Sequence, residues 1–256
     1  MIRNTERILM PSLPHSVGFP NKGFLLSMTG MEVKPLHIGA VDTSMRYVHL
    51  LHPGNMQDGR RTRKRPATSS THALFLQYLQ NEMNNCNYKP EEGDEYKATP
   101  FFHVLDQTYS KVDKEVIIAT PENVGVDEGC TAVTVLLRIE GTERVLYCAN
   151  VGDSHAVLCQ GGTPVRLTTE HTAQNSEEVL RVNNANSRAL LKQRVLGILE
   201  VTRSLGDYSF KESLPGVVLA RPDKKRRELS DADEFIILAS DGVSSTLPPP
   251  CSSLRG

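Results

Sequence analysis

One stretch constrains the fold of this chain more than any other: two apolar runs joined by the turn Asn150-Val151-Gly152-Asp153. The runs at 144–151 and 155–159 are rich in β-branched and aliphatic residues, which favour strands. We therefore expect a hairpin whose tip holds the Asp153 carboxylate at the edge of a buried sheet. The apolar run that starts at Phe235 also stops at an acidic residue, Asp241. Two carboxylates at strand ends suit a hard cation.

The segment from Gly129 to Leu167 predicts four antiparallel strands in a single sheet. The glycines at 141, 152 and 161–162 separate apolar runs at 131–139, 144–151, 155–159 and 164–167. Short apolar runs separated by glycine turns are typical of a meander. We expect the Asp153 turn and Asp241 to lie at the same edge of this structure, close enough to share a metal centre.

Three amphipathic helices are predicted from apolar residues at helical spacing. One covers 71–84 and a second begins at Thr99-Pro100, since Thr99 can cap the helix and Pro100 suits its first turn. A third begins near Asn175, with Glu178 completing a capping box. The residues expected to face the core are Leu74, Phe75, Tyr78, Leu79 and Met83, then Phe102, Leu105, Tyr109 and Val112, then Val179, Leu180 and Val182.

Composition excludes several classes of protein. In 256 residues, 29 basic side chains nearly balance 30 acidic ones, so no overall field favours nucleic acid or an anionic membrane. Five cysteines without a Cys-x-x-Cys pair favour a reducing compartment. No run is long and apolar enough for a signal peptide or a membrane span. We expect an intracellular protein, cytoplasmic or nuclear.

The first 70 residues are the part that periodicity assigns least well. Prolines and glycines interrupt their apolar patches, so we expect residues 1–70 to form a divergent, irregular part before a domain at 71–242 and a short atypical tail at 243–256. The basic run from Arg60 to Arg65 is either a solvated loop or a site for phosphate groups or an import receptor.

The order of six motifs resembles a known family. The motifs are Gly129-Cys130-Thr131-Ala132-Val133, residues 150–158, Leu167-Thr168-Thr169-Glu170-His171, Arg194-Val195-Leu196-Gly197, Val201-Thr202-Arg203-Ser204-Leu205-Gly206-Asp207 and residues 238–242. Together they resemble the metal-dependent serine/threonine protein phosphatases of type 2C, the PPM family. The resemblance covers about residues 100–242. It implies an α+β fold of two stacked antiparallel β-sheets flanked by helices, incomplete at its C-terminus.

The resemblance also implies a metal centre. In that family two Mg²⁺ or Mn²⁺ ions are held by aspartates, and a hydroxide that bridges them attacks the phosphorus of phosphoserine or phosphothreonine in proteins. Asp241 matches a ligand of the metal pair, and Asp153 matches a residue of a third, looser ion. Each also has a structural interpretation, Asp241 as a cap or turn residue and Asp153 as an Asx turn.

Two further polar residues in the motifs invite catalytic roles that we do not assign. A single histidine after a polar turn is more often packed and hydrogen-bonded than a proton donor, which is our interpretation of His171. Arg203 and Asp207 are expected to form a structural ion pair.

Several family elements are not recognisable in this sequence. We find no Asp-Gly-His-Gly-Gly, no early Glu-Asp element with its arginine, and Ser244-Ser245 where the family has Trp-Asp. The chain ends before the final strands and their aspartate. Asp42 or Asp58 could substitute for a missing ligand. We therefore expect weak or absent turnover.

Three interpretations follow for function. The first is a protein serine/threonine phosphatase, with a phosphoprotein as substrate. The second is a phosphatase-like domain that binds partners without turnover, and the third is a metal-free scaffold that resembles the family by chance, which the order of the motifs disfavours. We expect a monomer that binds neither nucleic acid nor membrane.

Overall fold

The fold was described from a computed structural model. It defines the backbone of residues 8–9, 24–28, 37–42, 45–53, 67–86, 100–119 and 129–239, and the side chains of 74–86, 100–115 and 129–239. The helices within these residues are α1 (Ala67–Asn84), α2 (Pro100–Ala119), α3 (Ser176–Ala185) and α4 (Tyr208–Ser213). The strands are β1 (Ile8–Leu9), β2 (Phe24–Met28), β3 (His37–Asp42), β4 (Met45–Pro53), β5 (Gly129–Glu140), β6 (Glu143–Val151), β7 (His155–Gln160), β8 (Thr163–Arg166), β9 (Leu190–Leu191), β10 (Arg194–Val195), β11 (Leu205–Gly206), β12 (Asp223–Glu228) and β13 (Asp233–Ala239).

Two sheets carry the fold. The six-stranded sheet has the order β12-β6-β5-β4-β3, with β11 also pairing with β5, and the five-stranded sheet has the order β1-β2-β13-β7-β8. All pairs within them are antiparallel except the parallel pair of β2 and β13. With the helices this confirms the α+β fold of antiparallel sheets and helices.

Both faces of β5 are buried, and this decides how the layers stack. Ala132 and Leu136 contact the cluster formed with α1 and α2, while Val133 and Val135 contact the cluster formed with β7 and β13. Alternate residues of a strand point to opposite faces, so a continuous apolar run fits a strand covered on both sides. The six-stranded sheet therefore lies between the helices and the five-stranded sheet.

The expectation of one sheet across Gly129 to Leu167 is wrong. β5 and β6 belong to the six-stranded sheet, and β7 and β8 belong to the five-stranded sheet. The turn at Asp153 is a passage from one sheet to the other, not the tip of a hairpin. The cause is the two-sided burial of β5 and β6, because the apolar face opposite the helices is covered by β7 and β13 stacking on it.

The first two predicted helices are confirmed. α1 buries Phe75 and Leu79, and α2 buries Leu105, Tyr109 and Val112 completely. The Tyr109 hydroxyl lies 3.0 Å from Thr134 Oγ1 and donates to the carbonyl of Ala149, which ties α2 to the sheet beneath it. The helices thus cover the sheet with the side chains that the periodicity selected.

The third helix begins where expected but faces differently. Asn175 is its N-cap and accepts from the amide of Glu177, whereas Leu180 is 64% exposed and Glu178 is buried. Glu178 turns inward because two arginines meet its carboxylate there, so the predicted capping box is not formed.

Part of the N-terminal region belongs to the sheets. β4 pairs with β5 along nine residue positions from Met45 to Pro53, and β2 pairs with β13. The expectation of irregular structure before residue 70 is therefore wrong for these strands. Their order comes from pairing with central strands, which a local pattern interrupted by prolines does not reveal. The boundary at residue 70 itself stays a prediction.

Residues 171–221 form a segment with an apolar core of its own, which we call the α3–α4 segment. Its core contains Val182, Ala189, Val195, Phe210 and Val217. It joins the sandwich through the His171 amide, which donates to the carbonyl of Gly152, and through the pairing of β11 with β5.

Candidate metal centre at one edge of the sandwich

The turn that carries Asp153 is fixed by close packing. Gly152 has φ +89°, and a Cβ at this position would lie 2.3 Å from Thr131 Cγ2 and 3.4 Å from the carbonyl oxygen of Arg203. The next residue after Asp153, Ser154, shares a 2.6 Å hydrogen bond between its hydroxyl and that of Thr131. Only glycine fits this backbone and this space. The half-buried Asp153 is thus held between two buried neighbours.

The ends of four strands meet at this edge. β13 ends at Ala239, which pairs with His155 at the start of β7, and Met28 at the end of β2 pairs with Ala239. β4 ends at Pro53, which pairs with Cys130 near the start of β5. Because the Asp153 turn links β6 to β7, these ends lie at the same end of the sandwich. Asp241 follows Ala239 by two positions in the sequence but lies outside the described residues.

Strand register excludes Asp42 as a substitute ligand. Asp42 ends β3 beside Met45, and Met45 pairs with Arg138 at the far end of β5. The eight steps from Met45 to Pro53 span about 26 Å at about 3.3 Å per residue. Asp58 follows the end of β4 closely in the sequence, but it lies outside the described residues.

His171 is a packed histidine, as its sequence context suggested. It is 1% exposed, its amide donates to the carbonyl of Gly152 at 3.0 Å, and its carbonyl accepts from the amide of Thr202. Nδ1 lies 3.4 Å from the Asn150 amide nitrogen, and Nε2 has no hydrogen-bond partner within the described part of the chain. Burial, with the nearby charge of Arg203, lowers the pKa of His171 to about 4. The ring is therefore neutral at pH 7, and the backbone bonds of His171 hold the α3–α4 segment against the turn.

The predicted ion pair between Arg203 and Asp207 is wrong. Arg203 Nη2 lies 2.6 Å from Glu178 Oε1, and Arg181 Nη2 lies 2.7 Å from Glu178 Oε2. Asp207 instead accepts a hydrogen bond from Ser204 and lies against Gly129. Sequence reasoning placed Glu178 in a cap, so the partner that the arginine meets in three dimensions was missed.

Glu178 is the centre of a buried ionic cluster. Burial raises the pKa of its carboxyl, but hydrogen bonds from Arg181, Arg203 and Thr202 outweigh that effect and lower the pKa to about 2. Arg181 also donates to the carbonyls of Thr202, Gly216 and Val217. The cluster therefore fixes α3 against the strand-like segment at 201–204, whose Arg203 carbonyl packs on Gly152.

A second histidine close to the turn was not singled out by sequence. His155 is 6% exposed, and its Nε2 lies 3.0 Å from Glu170 Oε1, which Arg166 also contacts at 2.8 Å. Burial opposes ionisation of Glu170, but Arg166 and His155 together lower its pKa. The interaction joins the start of β7 to the loop that leads into α3. Its only sequence signal was the strand start after Ser154.

The described residues supply part of a metal site. Within the ranges that the structure defines, no three His, Cys, Asp or Glu residues form a group that could hold an ion. Asp153 is the carboxylate that the turn places at the edge. β13 ends at Ala239, two positions before Asp241 in the sequence. A carboxylate oxygen is a donor that suits a hard cation, so Asp153 fits such an ion in its chemistry.

Comparison with known proteins agrees with the geometry. The sequence model of the family described as Protein phosphatase 2C matches residues 39–251. The chain belongs to the protein phosphatase 2C family. "Protein phosphatase 2C homolog 1" of Saccharomyces cerevisiae is 39% identical over 153 residues, covering 55% of this chain and 51% of the yeast protein. "Probable protein phosphatase 2C 4" of Paramecium tetraurelia is 33% identical over 174 residues, covering 61% and 56%.

Solved structures show the same fold. The serine-threonine phosphatase 2C from Toxoplasma gondii superimposes with a TM-score of 0.58 at 14% identity, covering 81% of this chain and 71% of that one. A sex determining protein of C. elegans gives a TM-score of 0.56 at 18% identity, covering 80% and 45%.

Membership fixes some properties of the site and leaves others to experiment. The protein phosphatase 2C family is metal-dependent, and its activity implies protein substrates. The chain spans about half the length of the curated relatives named above. No helix in the described part of the chain has the length and hydropathy needed to cross a membrane. The phosphatase 2C fold of this chain therefore includes the Asp153 turn and the contacts of His171 and Arg203 described above.

Proposed function

We propose that this protein hydrolyses phosphoserine and phosphothreonine in proteins in a metal-dependent reaction at the Asp153 edge. One observation carries the proposal: β2, β4, β13 and the Asp153 turn end together, within a chain matched to phosphatase 2C along residues 39–251. A convergence of strand ends is where loops can hold ions and substrate against a rigid scaffold.

Mg²⁺ or Mn²⁺, two per site, are the cations that we propose. Asp153 and Asp241 would hold them, since carboxylate oxygens suit both ions. Bound in pairs, such ions lower the pKa of water and neutralise charge on phosphoryl oxygens. The protein's part is to fix the carboxylates. At Asp153 it does so through the Gly152 backbone, the Thr131 contact and the His171 amide.

A second candidate function is a phosphatase-like domain that binds partners with little turnover. The observation that favours it is the end of β4, where His52 and Pro53 reach the site edge without a carboxylate and the next acid is Asp58. Each absent carboxylate weakens cation binding and loosens the geometry on which attack depends. We therefore propose weak turnover.

An intracellular location and a monomeric state are also proposals, consistent with the composition.

The test separates these functions. Mn²⁺ affinity is measured by calorimetry, and Mn²⁺-dependent hydrolysis of a phosphothreonine peptide is measured beside it, for the chain, for Asp153→Asn and for Asp241→Asn. Asp231→Asn is the matched control, because Asp231 is a fully exposed carboxylate that contacts only the edge of the sheet through Arg144. Loss of Mn²⁺ binding in the two site variants supports the proposed centre, and binding unchanged in both contradicts it. Robust turnover of the chain that Asp241→Asn abolishes would show that the second function is wrong.

A further inference from the structure

The exposed apolar side chains of this protein are concentrated in one segment. Among the described residues, the large hydrophobic side chains that are exposed all lie between 180 and 208, and three of them surround the hairpin of β9 and β10. Leu191 is 52% exposed, Leu196 is 39% exposed and Ile198 is 63% exposed. A Cβ at the intervening Gly197 would lie 3.7 Å from Leu191 Cβ, so the backbone between Leu196 and Ile198 packs against Leu191. We call Leu191, Leu196 and Ile198 the apolar tip.

The tip has a fixed shape. Val195 is fully buried, and its amide donates to the carbonyl of Leu199 at 2.8 Å, while the amide of Leu196 donates to the carbonyl of the buried Ala189 at 2.8 Å. These bonds anchor the tip to the core of the α3–α4 segment. A preorganised apolar surface binds with a smaller entropic cost than a mobile loop.

The tip is also held in a conformation that leucine disfavours. Leu196 has φ +50°, and Lys192 and Gln193 in the hairpin turn have φ +49° and +60°. A non-glycine residue in this region is strained and persists only where the surroundings impose it. In this conformation the Leu196 side chain is 39% exposed.

Three basic residues, Arg188, Lys192 and Arg194, lie in or next to the hairpin of β9 and β10 in the sequence. Arg194 is paired with Glu200 at 2.9 Å, but Arg188 and Lys192 are exposed and make no ion pair with any residue whose side chain the structure describes. An apolar surface flanked by two such cations is complementary to a segment that carries both carboxylates and apolar side chains. A purely apolar partner would make no ionic contact with Arg188 or Lys192.

The location of the tip selects the kind of partner. The α3–α4 segment is bonded to the Asp153 turn through the His171 amide, which donates to the carbonyl of Gly152. A protein held at the tip is therefore held on the segment that abuts the candidate metal centre. This favours a substrate over a remote regulator.

We propose that the apolar tip, with Arg188 and Lys192, docks an acidic segment with apolar side chains in the phosphoprotein substrate, away from the phosphorylated residue. The choice of a substrate rests on the proposed function, whereas docking itself is independent of turnover. Apolar contacts at Leu191, Leu196 and Ile198 supply affinity, and the cations orient the segment.

Binding is tested with unphosphorylated peptides, so that failure of catalysis does not affect the result. Fluorescent peptides of about four helical turns, with leucines at several spacings between glutamates, are titrated by anisotropy. A version with lysine in place of glutamate is the control for charge. Binding of the acidic peptides, weakened more than about tenfold by Leu191→Ser with Ile198→Ser, supports the proposal. No binding by any acidic peptide overturns it.

Matched variants separate docking from folding. Leu180→Ser removes an equally exposed leucine on α3, and Lys114→Glu changes the charge of an exposed lysine on α2 as Lys192→Glu does at the tip. Leu196→Asn suits φ +50° better than leucine, so its loss of binding cannot be ascribed to misfolding. Equal effects of tip and control variants would overturn the proposal. Binding to phosphatidylserine vesicles that the tip variants abolish, without peptide binding, would instead assign the tip to a membrane.

A second measurement tests the link to substrate. A phosphothreonine peptide joined by a flexible linker to the acidic segment is compared with the same phosphopeptide alone. A KM lowered by the segment and restored by the tip variants, with kcat unchanged, supports docking of substrate. If the chain has no turnover, the joined peptide and the phosphopeptide alone are each used to displace the labelled acidic segment. Their two affinities then replace the two KM values in the comparison. An acidic segment that binds the tip but changes neither the KM nor the affinity of the joined peptide overturns the assignment to substrate.

Discussion

The Asp153 turn and the apolar tip are both short connections between strands, yet they differ in almost every physical respect. Gly152 and Ser154 of the turn are buried against Thr131, and the turn accepts a hydrogen bond from His171. The tip exposes Leu191 and Ile198 by more than half. The turn uses glycine where φ is positive, whereas the tip places a leucine there.

The contrast shows how one fold separates two requirements. A carboxylate that must meet a metal needs a backbone that cannot move, and packing on both sides of Gly152 supplies that. A surface that meets another protein needs exposed side chains, and the tip keeps them out of the core at the expense of local strain. The Glu178 cluster lies in the α3–α4 segment, which also carries the tip, and it bonds α3 to the residues that pack on Gly152.

The largest loss of stability at the turn is expected from Glu178→Gln. The change leaves the partly buried Arg181 and Arg203 without their carboxylate, which costs about 3 kcal/mol of the free energy of unfolding. We expect a lower midpoint in urea and weaker Mn²⁺ binding, because the Arg203 carbonyl supports Gly152. A control is Glu212→Gln, which alters a carboxylate that accepts a hydrogen bond from the exposed Tyr208. Equal midpoints for the two variants would contradict the role of the cluster.

Gly152→Ala should come second, with a loss of about 2–4 kcal/mol from a clash and a positive φ. The new Cβ would lie 2.3 Å from Thr131 Cγ2. Gly141 has φ +62° with nothing within 4 Å of its Cβ position, so Gly141→Ala measures the conformational term alone. Thermal unfolding of both variants gives the difference. Similar losses would mean that close packing does not fix the turn.

The third effect is a dependence of stability on pH through His171. Its folded pKa of about 4 lies below the ordinary value of 6.5, so the unfolded chain binds a proton that the folded chain does not. Stability is therefore full above pH 6.5 and falls by about 2–3 kcal/mol as the pH decreases to 4. Urea unfolding from pH 7.5 to 4 should show this decrease, and His171→Gln should flatten it. An unchanged slope in that variant would exclude His171 as the cause.

The smallest effects are expected at the tip. Leu191→Ser and Ile198→Ser should each change the free energy of unfolding by less than about 0.5 kcal/mol, because the side chains are exposed. Leu196→Asn should be neutral within the same range, since relief of strain offsets lost contacts. Chemical denaturation is the measurement. A loss above about 2 kcal/mol in any of them would show that the tip is part of the core.

The sequence predicted the helices and strands where periodicity is strong. Phe75, Leu79, Leu105 and Tyr109 are buried at the positions that the helical spacing selected. It failed where a polar contact outweighs the local pattern, since Glu178 rather than Leu180 faces inward on α3. A buried carboxylate needs partners distant in sequence, and the spacing within a helix carries no information on them.

The candidate site shows the same division. The placement of Asp153 at the end of an apolar strand was visible in the sequence, and so was the stop of β13 close to Asp241. The register of β4 on β5 was not, and it is this register that removes Asp42 from the site.

What the sequence by itself determined is local: which segments are apolar enough to be buried, where glycine permits a turn, and the order of motifs that marks the phosphatase 2C family. Only the tertiary structure decided that β6 and β7 lie in different sheets, that Arg203 meets Glu178, and that four strand ends share one edge. The physical reason is that both faces of β5 are apolar, and the pattern within a strand cannot state which layer covers each face.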